Sequence, residues 1–252
     1  MNRRTKFLFF ALLSTLSLTL LSSFLKDRGV LAIGGFVLIN LIFTLISLWE
    51  DLSGLEFLTL LFLPVLFSFS MITTLWNFPN FSLFFRILFY GLYFVFYYTM
   101  LLSLNIFNVV EQKRIPLLRA AYTSSFVITI FTSFPLFTFV YKGYYGLPLE
   151  IVLVLALTFI LSFQSLWTVF LPGRNDLLAF KASLILTLVT VETALTFSFL
   201  PIESFFRSLL LSAFFYIFLG FTHQFLKKNL SQKNILEYIL VGFFVVALVF
   251  LY

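Results

Sequence analysis

One feature recurs along the whole chain: apolar runs of about 20 residues, separated by short clusters of charge, proline or glycine. A helix rises about 1.5 Å per residue, so such a run crosses the roughly 30 Å of hydrocarbon in a bilayer. Within lipid, a helix is also the only single segment that satisfies its own backbone hydrogen bonds. The pattern therefore predicts an all-α, polytopic transmembrane helix bundle with short loops. We place about nine spans, near residues 7-25, 29-49, 55-76, 82-109, 116-141, 148-171, 177-200, 202-226 and 235-252.

Composition agrees with this reading. Hydrophobic residues make up 62% of the chain and charged residues 10%, too little polar surface to cover a water-soluble domain. We read residues 1-252 as a single integral membrane domain with no soluble domain. Its first partner is the lipid bilayer.

The formal charge of +6 does not imply nucleic acid, because the 16 Lys and Arg residues are scattered between apolar runs and build no basic face. The chain has no cysteine and one histidine, which excludes disulfides, thiolate chemistry and a multi-histidine metal site, and no motif calls for a cofactor. Arg3, Arg4 and Lys6 ahead of the first apolar run resemble the start of a signal peptide. That run is longer than an h-region and has no convincing small-x-small cleavage site, so we read it as a retained span.

Short cytoplasmic loops concentrate Lys and Arg. With nine spans and a cytoplasmic amino terminus, Arg3, Arg4, Lys6, Lys113, Arg114, Arg119, Arg174, Lys181, Lys227, Lys228 and Lys233 all fall inside. The expected location is a cell membrane, of the bacterial inner-membrane kind, with the carboxyl terminus outside.

Ionisable groups inside hydrocarbon are costly and tend to face the bundle, pair or snorkel. Glu192 lies about 22 Å into the seventh span and Arg207 about 9 Å into the eighth from the opposite end, so the two share a depth. Arg86 enters the fourth span from the same side, and Glu150 stands in the first turn of the sixth, where the helix dipole favours an anion. One reading is an outward-facing polar pocket in which an arginine binds a carboxylate or phosphate. The other is a Glu192–Arg207 ion pair with snorkelling arginines.

On the cytoplasmic side, Asn105, Asn108 and Glu111 recur every third residue, followed by Lys113, Arg114 and Arg119, and Lys181 stands early in the seventh span. These residues either cradle an anionic headgroup or form a border belt that contacts anionic lipid. Ala120, Ala121, Ser124 and Ser125 suit close helix packing, and Pro64 and Pro135 interrupt two spans. His223 is read as a satisfied histidine near a helix end. Phe84-Phe85-Arg86 and Phe205-Phe206-Arg207 echo one another without agreement in their flanks.

HExxH, GxSxG, Walker and paired-aspartate patterns are all missing, so nothing marks an enzyme. The expected role is transporter-like or lipid-handling, acting on an anionic or amphiphilic molecule. A structural or assembly protein is the alternative, and an enzyme on a lipid substrate the third.

Overall fold

A computed structural model describes residues 3–48, 56–109, 117–170, 176–228 and 230–251. Among these, all regular structure is helical: α1 (Arg3–Ser23), α2 (Leu25–Leu48), α3 (Glu56–Asn77), α4 (Leu83–Val109), α5 (Leu118–Lys142), α6 (Leu147–Phe170), α7 (Asp176–Ser198), α8 (Ser204–Leu226) and α9 (Gln232–Leu251). Each expected span corresponds to one helix. Helices α1 to α8 are long and apolar enough to cross a membrane, and α9 carries the shorter apolar stretch Ile235–Val249.

Unlike those of a water-soluble bundle, the helices are apolar outside as well as inside, and they bury many hydroxyls. Leu83, Phe84, Val30 and Phe243 are 74%, 71%, 80% and 72% exposed, while Ser14, Asn40, Thr44, Thr158 and Thr190 are wholly buried. Lipid solvates the apolar exterior, so exposure there carries no hydrophobic penalty. Many buried hydroxyls are satisfied by carbonyls one turn back in the same helix, as in Thr44 to Asn40 at 2.8 Å, Thr132 to Ile128 at 2.7 Å and Thr158 to Val154 at 2.7 Å.

The chain divides into two compact units, Met1–Thr132 and Ser133–Tyr252. In the first, α1 packs on α2 and α4, and α2 packs on α3. The reversal between α1 and α2 is abrupt. Phe24 separates the helices, the Arg28 amide bonds to the Phe24 carbonyl at 2.9 Å, and Arg28 itself leaves helical geometry at φ −140°, ψ 50°. The chain resumes at Gly29, where a Cβ would stand 1.2 Å from the Trp76 ring. We expect Gly29→Ala to drive that ring outward and to cost about 1–3 kcal/mol through overpacking. In a background with Trp49 and Trp167 replaced by phenylalanine, which leaves Trp76 to report alone, quenching by aqueous iodide should rise; unchanged quenching would place the ring elsewhere.

In the second unit, α6 packs along α7, α7 on α8, and α8 on α9. Gly220 is the close approach of the last pair, since a Cβ there would lie 2.6 Å from the Tyr238 ring. The remainder of α5 contributes its last turns, and these position the site described next.

Candidate functional site

The α5–α6 connection turns on Gly146, whose φ of +82° favours a residue without a Cβ, and on Tyr144 at φ +50°. This tight reversal brings the end of α5 beside the start of α6. Ser204, the first residue of α8, donates its hydroxyl hydrogen bond to the Tyr141 carbonyl at 3.2 Å and ties the start of α8 to the same place. Two helix N-termini, each carrying partial positive charge, therefore meet the end of α5.

Arg207 lies one turn into α8. Its guanidinium carbon sits 5.2 Å from the centre of the Tyr141 ring, within the range of cation–π attraction. The charges of Arg207 and Glu150 both act on the Tyr141 hydroxyl. Tyr141 is 2% exposed, and its Oη and the Arg207 Nε are buried without a hydrogen-bond partner among the described residues. Buried polar atoms are nearly always paired, so two orphaned groups in one cluster are unusual. A donor-acceptor hydroxyl and a guanidinium N–H beside two helix N-termini suit an anionic oxygen.

Of the four residues expected in the outer pocket, Arg207 lies against the Tyr141 ring and Glu150 is within electrostatic reach of its hydroxyl. Glu192 is exposed on α7, and no ion pair joins it to Arg207 among the described residues. Arg86 belongs to the first unit; it is exposed and donates to the Pro79 carbonyl at 3.3 Å, closing the α3–α4 turn. Of the cytoplasmic set, Lys113 and Arg114 lie outside the described residues, as does the Asn108 side chain. Asn105 is half-buried, and Arg119 and Lys181 are exposed.

Two buried features, around Asn40 and Gln164, were not singled out from the sequence, and a third, His223, was. In the first unit, Asn40 Oδ1 accepts from the Ser14 hydroxyl and from Tyr93 at 3.2 Å, Ser14 and Tyr93 also bond to each other, and the Asn40 amide donates to the Phe36 carbonyl at 2.9 Å. Tyr97 joins through Thr44 at 3.1 Å and stacks on Tyr93 with ring centres 5.7 Å apart. In the second unit, His223 is 6% exposed and its Nε2 lies 3.0 Å from the Ser165 hydroxyl, so it is satisfied, as expected, and is packed inside the unit. Gln164, 1% exposed, has neither amide atom bonded among the described residues. A carboxamide standing inside an apolar run was the readable sign of both Asn40 and Gln164.

The long apolar helices, with apolar exteriors and hydroxyls buried between them, define a multi-pass α-helical membrane protein. The family model described as "Protein of unknown function (DUF5656)" matches residues 45–252, most of the chain, and the protein belongs to that family. No curated protein and no solved structure matches it.

Proposed function

We propose that this membrane protein is transporter-like or lipid-handling, and that it binds the anionic end of a small or amphiphilic molecule at Arg207 and Tyr141. The observation that carries the reading is the pair of orphaned buried atoms, Arg207 Nε and Tyr141 Oη, in one cluster at the start of α8. A guanidinium offers a carboxylate or phosphate two parallel bonds, and the Tyr141 hydroxyl supplies a third contact. Glu150 balances the charge while no anion is bound. In the orientation expected from the Lys and Arg distribution, with the amino terminus cytoplasmic, this end of the second unit faces outward. The reading is one of binding and passage rather than catalysis.

The test uses purified protein with oleate and dodecyl phosphate as probes, binding being followed by calorimetry. Arg207→Ala should weaken both at least tenfold, the loss expected for a hydrogen bond to a charged group, while the protein still accumulates in the membrane. Arg207→Lys should fall between, because it keeps the charge and loses the planar fork. Tyr141→Phe, which keeps the ring, should weaken binding without loss of fold. Unchanged binding in Arg207→Ala and Tyr141→Phe would overturn the proposal, and loss of the folded protein in every variant would favour the structural reading.

A further inference from the structure

A second site lies at the other end of α8, about 28 Å from Arg207 by helical rise, and does not depend on the Arg207 reading. An apolar groove of about 550 Å³ runs between α7 and α8, floored by Ala182, Ile185 and Val189 on one side and Ile217, Phe221 and Phe225 on the other. The polar residue in its lining, Thr222, spends its hydroxyl on the Phe218 carbonyl at 2.7 Å. What fills the groove must therefore be hydrocarbon.

Its length and its rim identify the occupant further. From Ile217 to Leu226 the groove extends about 14 Å along α8, close to the roughly 15 Å depth of one leaflet and half of what a spanning helix needs. Leu226, at its mouth, is followed directly by Lys227 and Lys228, both exposed, and the exposed Lys181 precedes Ala182 on the facing helix. Asp176, exposed in the first turn of α7, is the acidic residue of that helix end. The lysines outnumber it, and their long stems reach the headgroup level.

We propose that the α7–α8 groove binds one acyl chain of an anionic phospholipid from the leaflet at the Lys227–Lys228 end, with the lysines holding its phosphate. A groove of single-leaflet depth with a basic mouth matches a lipid in both length and charge. A second copy of the chain would have to offer a helix, which is twice too long for it.

The full-length protein is placed in nanodiscs of phosphatidylcholine with a minority of phosphatidylglycerol, and retained lipid is counted by native mass spectrometry. Phosphatidylglycerol should be retained above its share of the bilayer. Lys227→Gln and Lys228→Gln should lower that enrichment by about fivefold each. Ala182→Phe and Val189→Phe should each reduce retention of both lipids, because the added ring occupies the groove; circular dichroism identifies a variant that has failed to fold, and the other then carries the test. Arg207→Ala should leave the enrichment unchanged, which separates this site from the one above. Retention in proportion to bilayer composition, enrichment untouched by both phenylalanine variants, displacement by glycerol 3-phosphate alone, or a protein dimer in place of bound lipid would each overturn the proposal.

Discussion

Asn40→Ala should destabilise the first unit by about 3 kcal/mol, several times the roughly 0.6 kcal/mol that an average interhelical side-chain hydrogen bond contributes in a membrane. Asn40 accepts two hydroxyl hydrogens and donates to a carbonyl, at a site that is wholly buried. Without its carboxamide, Ser14 and Tyr93 lose the acceptor they share, and their two hydroxyl hydrogens compete for what remains. An orphaned buried donor costs about 1–3 kcal/mol, and the cavity left by truncation adds to that. The measurement is reversible unfolding in mixed micelles, with rescue as the control. Adding Ser14→Ala and Tyr93→Phe to Asn40→Ala removes the stranded hydroxyls and should recover at least half of the loss. A single-variant cost below about 1 kcal/mol, or no recovery in the triple variant, would show that the network contributes no more than ordinary packing.

Gln164→Met should act in the opposite direction and raise stability by about 2 kcal/mol. The side chain is as buried as Asn40, but its nitrogen and oxygen have no partner among the described residues. Methionine keeps the unbranched stem and nearly the same volume, so packing around α6 is preserved while two unsatisfied groups disappear. An increase in the unfolding midpoint is the expected result. A decrease would mean that the amide is bonded in the membrane to water or solute, and Gln164 would then become part of a polar path past Ser165 and His223. Two carboxamides in similar apolar runs thus differ in the sign of their effect, and only their neighbours distinguish them.

The outer cluster separates the two sources of information in the same way. Depth along a helix follows from the rise per residue, so Arg207 and Glu150 could be assigned to one end of the bundle from their positions in the chain. Azimuth does not follow from depth. Glu192 shares the depth of Arg207, yet it lies off the buried α7 face formed by Ala179, Ser183, Leu186, Thr190 and Ala194, and Arg207 turns instead to Tyr141. Tyr141 went unremarked because an aromatic at a helix end ordinarily belongs to an interfacial belt. What marks it out is an orphaned hydroxyl, which is a property of packing.

Sequence alone determined that this protein is a multi-pass helical membrane protein, and placed its helices to within a few residues. Hydrocarbon leaves a lone segment no other way to satisfy its backbone, so the length of each apolar run is enough to define a span. Tertiary structure decided which uncharged polar residues are satisfied, which are stranded, and where a groove remains between α7 and α8. Each of these depends on how the helices are rotated about their axes. In a chain apolar on nearly every face the hydrophobic pattern barely constrains that rotation, and small-residue packing and buried hydrogen bonds set it.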